Sequence, residues 1–280
     1  MSRERITITL KDEIIRQLDA QIDGERLRNR SHAIEYFLSK SLGMRAVKVL
    51  ILAGGKPVDF ISGQKALPKA MVKIAGKPLL EHTLHKLKTQ KFTDVLISLG
   101  LGGENIQNYF ADGDRVGINL SYITQSASIK GTAQALWQAR EFLNGQPFLL
   151  LYGDVLSDMD FNELLEFHRS QPQAVCTMAL TSTDAVHKWG LVRLQGSKIV
   201  GFEEKPVQPK TFSRLVNAGM YLMEPEIFQY LDKSSIKLEH DVFPRLAEEG
   251  KLIGYPFDGL WLDVSSSAAY KQALKELKNT

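Results

Sequence analysis

Cysteine is almost missing from this chain of 280 residues: Cys176 stands alone, which excludes disulfides within the chain and cysteine-rich zinc sites. The six histidines show no HExxH or other paired ligand spacing. No apolar run reaches membrane-spanning length, and the charged N-terminus lacks a signal-peptide core, so a cytoplasmic protein with no membrane partner is expected. No strand-like segment is followed by G-x-G-x-x-G, and no G-x-x-x-x-G-K-[ST] occurs, so dinucleotide-fold and P-loop readings fail. An excess of one charge is missing as well. The formal net charge of +3 is too small to predict a nucleic-acid partner by itself. Internal repeats and low-complexity segments are absent too.

What is present describes a globular protein, 44% hydrophobic and 24% charged, long enough for one large domain or two ordinary ones. Residues 1–43 read as a separate unit, followed by a second domain over 44–280. Arg5 to Leu10 alternates, with Ile6, Ile8 and Leu10 on one face, as a half-buried strand does. Lys11 to Ile22 carries Ile14, Ile15, Leu18 and Ile22 at helical spacing. A second helix is expected after Asn29-Arg30, with Ser31 as its N-cap and Ala33, Ile34, Phe37, Leu38 and Leu42 as its apolar face. One strand and two helices of this size cannot bury a core alone.

This pattern resembles the ribbon-helix-helix fold, which implies pairing of two chains through their strands and hence a homodimer or larger oligomer. The resemblance also implies DNA contacts through Arg5, Thr7 and Thr9 on the ribbon, and a backbone phosphate at Asn29, Arg30 and Ser31. Eight basic against seven acidic side chains in residues 1–43 leave a plain dimerisation unit as the alternative.

The rest of the chain is organised around Val47 to Pro78. A near-continuous apolar run ends abruptly at Gly54-Gly55, as a buried parallel strand ends at a ligand-binding edge. Main-chain N–H groups can approach an anion closely there, and Lys69 adds a mobile positive charge. Helices and strands then alternate: Leu79–Gln90, Asp94–Leu99, Glu104–Phe110, Leu120–Thr124, Gly131–Phe142 and Pro147–Gly153. That alternation predicts an α/β, doubly wound sheet. Strands dominate from Ala174, followed by helices around Glu224–Leu231 and His240–Glu248, the segments Leu252–Phe257 and Leu260–Asp263, and a terminal helix from Ser267.

Leu52-Ala53-Gly54-Gly55, Pro68-Lys69 and Gly76-Lys77-Pro78 resemble, at matching spacing, the N-terminal motif of the sugar-phosphate nucleotidyltransferases. Asp154, after Tyr152-Gly153, and Asp263, after Trp261-Leu262, resemble that family's metal-binding aspartates. The hairpin from Trp189-Gly190 to Phe202-Glu203-Glu204-Lys205-Pro206 and the strand Asn217-Ala218-Gly219 resemble its sugar-phosphate motifs. Gly131-Thr132-Ala133 resembles its loop beside the nucleotide. The stretch Leu238–Gly259, with Glu239-His240-Asp241-Val242-Phe243-Pro244, is most similar to mannose-1-phosphate guanylyltransferases.

The resemblance implies the family's mixed-sheet fold and the attack of a sugar 1-phosphate on a nucleoside triphosphate, giving a nucleoside-diphosphate sugar and pyrophosphate. It implies Lys69, Asp154, Lys205 and Asp263 as catalytic residues, with Mg²⁺ on the two aspartates. It places the nucleotide against Leu52, Ala53, Gly54, Gly55, Gln125, Gly131, Thr132, Ala133 and Gly153. It places the sugar phosphate against Gly190, Glu204, Lys205 and Asn217.

Two departures stand out. Pro57-Val58-Asp59 replaces the family's Gly-Thr-Arg, so an aspartate stands where an arginine would clamp pyrophosphate, with Lys56 and Lys65 as nearby point charges. Asp263-Val264-Ser265-Ser266-Ser267 lacks the family's glycine beside the second aspartate. These departures motivate the alternative of a non-catalytic, nucleotide-sugar-sensing, DNA-binding regulator.

Overall fold

The computed structural model describes residues 7–22, 29–41, 47–59, 66–125, 131–143, 145–208, 213–264 and 266–276. Arg5, Lys65 and Ser265 lie outside these residues. The chain falls into two compact units, Met1–Ala46 and Val47–Thr280.

In the first unit, helix α1 (Asp12–Asp19) ends earlier than its apolar spacing suggests. Gln21 and Ile22 donate to Leu18 and Asp19, three residues back, so the last turn tightens. Helix α2 spans Arg30–Ser41, which places Ser31 inside the first turn instead of at the N-cap. Leu18 and Ala33 are buried between the helices, with Leu10, Ile22, Ile34 and Phe37 around them. Arg30 clamps both oxygens of Asp19 over 2.7 Å each. The arginine expected beside a phosphate is therefore engaged within the unit. Thr7–Leu10 form no ladder with another described segment. Ile8, Ile14 and Leu38 are each nearly half exposed, an apolar face beyond what two helices cover.

The second unit begins with β1 (Lys48–Ala53), and its side chains alternate between two cores as a strand buried on both faces must. Val49 and Ile51 belong to one core and Leu50 to the other. A small ribbon of β2 (Lys73–Ile74) and β3 (Lys77–Pro78) leads into α3 (Leu79–Thr89). There follow β4 (Asp94–Leu99), α4 (Gly103–Phe110), β5 (Asn119–Thr124), α5 (Thr132–Gln138), α6 (Arg140–Leu143) and β6 (Phe148–Tyr152). The single helix expected over 131–142 is thus broken at Ala139. Next come β7 (Val155–Ser157) and α7 (Phe161–Arg169), both unforeseen in the sequence, the helix capped by the Asp160 side chain accepting from Asn162 N–H. The remainder is β8 (Cys176–Ser182), β9 (Gly190–Gln195), β10 (Lys198–Glu204), β11 (Leu215–Met223), α8 (Phe243–Glu248), β12 (Leu252–Pro256), β13 (Trp261–Asp263) and α9 (Ser267–Glu276).

Nine strands form one mixed sheet in the order β5-β4-β1-β6-β11-β8-β12-β10-β9. The first four are parallel, and β11 enters antiparallel to both neighbours. Helices α3, α4 and α7 pack on one face; α5, α6 and α8 pack on the other. Where a helix was expected over 224–231, Pro225–Tyr230 is a 3₁₀ segment. Leu238–Val242 is a π turn before α8, whose Pro244 lies in its first turn, where a missing N–H costs little. No helix among the described residues is long and apolar enough to cross a membrane.

Candidate active site

Close backbone approaches shape the edge where the parallel strands end. A side chain on Gly100, just after β4, would lie 2.8 Å from Gly54 Cα, so the two strand ends touch only because Gly100 has none. Gly54 itself faces the Gln125 amide, where an added Cβ would sit 3.0 Å away. Gln125 is fixed by its N–H to Leu99 O at 2.8 Å and by its amide nitrogen to Ser98 Oγ at 3.0 Å. Gly153 N–H donates to Leu52 O over 2.9 Å. Leu52, Ala53, Gly54, Gly55, Gln125 and Gly153 thereby share one edge. Gly131 turns the chain in a left-handed conformation against Ile236 O, and Ala133 N–H donates to that same oxygen at 3.0 Å.

Asp154 follows β6 directly, and the β7–β13 ribbon brings Asp263 beside it. Asp263 stands in register with Val155, and Val264 N–H donates to Asp154 O at 2.9 Å. Lys69 rises from a 3₁₀ turn after Pro68 and donates to Asp154 Oδ2 at 2.9 Å. Burial alone would lower the pKa of Lys69. The charge and hydrogen bond of Asp154, with the charge of Asp263, outweigh that and hold it above the ordinary lysine value.

Lys69, Asp154 and Asp263 line a cleft of about 890 Å³ together with Gly190, Glu204, Lys205 and Asn217. Gly190 is required by proximity, since a Cβ there would meet the Phe202 ring at 2.5 Å. Lys205 has φ +49°, a strained conformation for a residue with a side chain, and is held by its N–H to Trp189 O at 3.0 Å. Its ammonium is mostly exposed, 3.7 Å from Glu204 Oε1. Glu204 is half-buried; burial first, then the charge of Glu239, raises its pKa, against the pull of Lys205, His240 and Lys237. In Asn217-Ala218-Gly219 every residue is committed. Asn217 Oδ1 accepts from Gly219 N–H, Ala218 O accepts from Trp261 Nε1–H at 2.9 Å, and Gly219 (φ +74°) makes room for the Tyr152 ring. Trp261 also meets Trp189 edge to face at 5.0 Å.

The described part of the loop after Gly55, residues 56–59, differs from a phosphate cradle. Val58 and Leu67 exchange both backbone hydrogen bonds, at 2.8 and 3.0 Å, so the Val58 N–H is engaged. Pro57 has no N–H, and Asp59 is exposed with a carboxylate to offer.

Among the described residues no cluster of three or more His, Cys, Asp or Glu side chains is poised for a metal. Asp154 and Asp263 still suit magnesium, which commonly takes one or two carboxylates and fills its remaining positions with phosphate oxygens and water.

Sequence reasoning singled out neither Tyr152 nor Glu239 as a site residue, yet both line the cleft. Glu239 Oε1 accepts from Tyr152 OH at 2.5 Å, and Oε2 accepts from Thr132 Oγ1–H at 2.9 Å. Through Glu239, the Gly131-Thr132-Ala133 loop is tied to the cleft. Both residues sit in quoted motifs, but nothing local in the sequence shows that they meet.

A family model described as Nucleotidyl transferase matches residues 48–280, and the first unit lies outside that match. "Probable mannose-1-phosphate guanylyltransferase 2" of Oryza sativa subsp. japonica is 33% identical over 235 residues, covering 82% of this chain and 64% of its own length. A UTP–glucose-1-phosphate uridylyltransferase of Synechocystis sp. is 30% identical over 254 residues, covering 83% of this chain and 65% of its own. The chain thus spans just under two thirds of the length of these curated relatives. Among solved structures, a UTP-bound UGPase from Acinetobacter baumannii shares the fold with a TM-score of 0.71 at 19% identity, over 82% of this chain and 93% of that one.

Proposed function

The chain belongs to the nucleotidyl transferase family, and from that premise we propose that it joins a nucleoside monophosphate unit to a sugar 1-phosphate. A phosphate oxygen of the sugar phosphate attacks the α-phosphorus of a nucleoside triphosphate in line, and pyrophosphate leaves. A guanylyl or thymidylyl donor is favoured over an adenylyl one, and the likeness of Leu238–Gly259 to mannose-1-phosphate guanylyltransferases supports the first. The observation that carries this reading is the convergence of Lys69, Asp154 and Asp263 with Glu204, Lys205 and Asn217 on one cleft.

Little covalent work falls to the protein, and positioning with charge neutralisation does the rest. Lys205 holds the sugar phosphate; Glu204 and Asn217 orient the sugar; Lys69 neutralises triphosphate charge beside Asp154. The Gly54-Gly55 edge, Gln125 and the Gly131 loop receive the nucleotide. Magnesium, held by Asp154 and Asp263, would neutralise charge at the α-phosphate and the attacking oxygen. A cytoplasmic location fits these charged substrates. The test is a pyrophosphate-release screen of the purified protein over nucleoside triphosphates and sugar 1-phosphates, in which release must require one of each.

The Pro57–Asp59 loop favours a second reading, a nucleotide-sugar sensor with little or no turnover. The Val58 N–H is engaged and Asp59 repels a leaving pyrophosphate. In this reading residues 1–43 pair two chains as a ribbon-helix-helix dimer, and Arg5, Thr7, Thr9, Asn29, Arg30 and Ser31 contact DNA. A protein that binds nucleoside-diphosphate sugar yet releases no pyrophosphate with any substrate pair would favour it.

A further inference from the structure

Glu239 is held as few surface carboxylates are. It lies on the π turn Leu238–Val242, an uncommon conformation that recurs at functional positions. Tyr152 OH fixes one oxygen and Thr132 Oγ1–H the other. The Thr132 hydroxyl oxygen in turn accepts from Leu238 N–H at 2.9 Å, so its hydrogen is directed at the carboxylate. Burial first, then the charge of Glu239, raises the Tyr152 phenol well above its ordinary pKa, which keeps it a donor at neutral pH. Glu239 is therefore pinned in orientation while remaining at the cleft wall.

A carboxylate oxygen has two lone pairs, and one on each oxygen is spent on Tyr152 and Thr132. The others are left for the cleft. Glu204 lines the same space, with Lys205 only loosely paired at 3.7 Å. The two carboxylates are near enough for the charge of Glu239 to disfavour ionisation of Glu204. A phosphate beside this pair would be repelled by both, and the cationic side chains Lys69 and Lys205 serve it better. Donors are what two half-buried acceptors require, and the non-phosphorylated face of a sugar ring consists of hydroxyl donors.

Building on the proposed transferase reading, we propose that Glu239 is a second carboxylate acceptor for the sugar, acting with Glu204, and that the pair selects a ring presenting a hydroxyl to each. Sugars deoxygenated at either position leave a half-buried acceptor unpaired and are rejected. This makes Glu239 a specificity-determining residue, with Tyr152 and Thr132 as its positioning partners.

The test is calorimetric binding, with magnesium, of glucose 1-phosphate, mannose 1-phosphate, their single-deoxy analogues and a nucleoside-diphosphate hexose to the full chain and to Glu239→Gln and Glu204→Gln. The unaltered chain should lose roughly ten- to a hundredfold in affinity for deoxygenation at each of two ring positions. Glu239→Gln should flatten the penalty at one position and Glu204→Gln at the other, each sparing the remaining penalty. A merely structural role for Glu239 would weaken every sugar alike; that result, or an unchanged deoxy profile, overturns the proposal and leaves the transferase reading standing. Failure of the unaltered chain to bind any hexose phosphate or nucleoside-diphosphate hexose overturns both.

Discussion

The Lys69 ammonium donates to Asp154 Oδ2 at 2.9 Å, across 85 residues of sequence, and Asp263 adds its charge to the same lysine. A cation and two carboxylates thus share one end of the cleft before any substrate arrives. In the proposed reaction, phosphates entering there would meet a lysine already held by Asp154.

Replacing that lysine by a neutral side chain of similar length separates its chemical role from its structural one. Lys69→Met should lower turnover by about 10²–10³, the scale of losing one preorganised charge at a reacting phosphate. Thermal stability should fall by only a few degrees, because the pair is partly solvated. The sign of the pKa shift fixes the pH behaviour. A raised lysine pKa gives a contribution fully present below the ordinary lysine value and lost only as pH rises through the raised one, so stability profiles near neutrality should not report it. Wild-type turnover in Lys69→Met would remove the lysine from the reaction.

Glu204 should show the opposite coupling of stability and function. Burial and Glu239 raise its pKa, so the folded state disfavours the carboxylate, and the destabilisation develops as pH rises from the ordinary glutamate value through the raised one. Glu204→Gln should therefore melt higher than the unaltered chain at neutral pH, with the gain vanishing in acid, while sugar binding weakens. Equal melting temperatures at both pH values would show that the carboxylate is not strained.

The altered loop should limit rate more than binding. Asp59→Arg combined with Pro57→Gly restores a clamp for the leaving group and a backbone donor, so kcat should rise by about 10-fold or more, while nucleoside-diphosphate-sugar affinity changes little. The check is steady-state pyrophosphate release beside equilibrium binding. No gain in kcat would mean that the Val58–Leu67 pairing serves another purpose.

How much of this was legible in advance follows from the range of the interactions. The ends of β1 and β4 could be read closely because strands buried on both faces are written as continuous apolar runs. The three-residue β7 is too short to show a period. Helix α7 offers only Phe161, Leu164 and Leu165 with His168 on its inner face, a weak signal between two stronger strands. At the site, Asp154 and Asp263 could be named from their motifs. The placement of Glu239 depends on Thr132 and Tyr152, 107 and 87 residues away, and no local pattern encodes such a meeting. The Arg30–Asp19 clamp spans only 11 residues, but it depends on how α1 and α2 pack, which no local pattern encodes either.

Self-association should reside in the first unit. Ile8, Ile14 and Leu38 are 45, 44 and 47% exposed, more apolar surface than α1 and α2 cover between them. Removing residues 1–46 should lower the oligomeric state measured by sedimentation, with nucleoside-diphosphate-sugar binding nearly intact. Ile8→Asp should act in the same direction by placing an unpaired charge in the contact. A full-length chain that stays monomeric at micromolar concentration would defeat the ribbon-helix-helix reading.

The most direct measurement is magnesium-dependent pyrophosphate release by the unaltered chain, Asp154→Asn and Asp263→Asn, with folding checked by circular dichroism. The account predicts release by the unaltered chain only when a nucleoside triphosphate and a sugar 1-phosphate are both present, and loss of at least about 10²-fold in each variant without loss of fold. Undiminished release by both variants would contradict it.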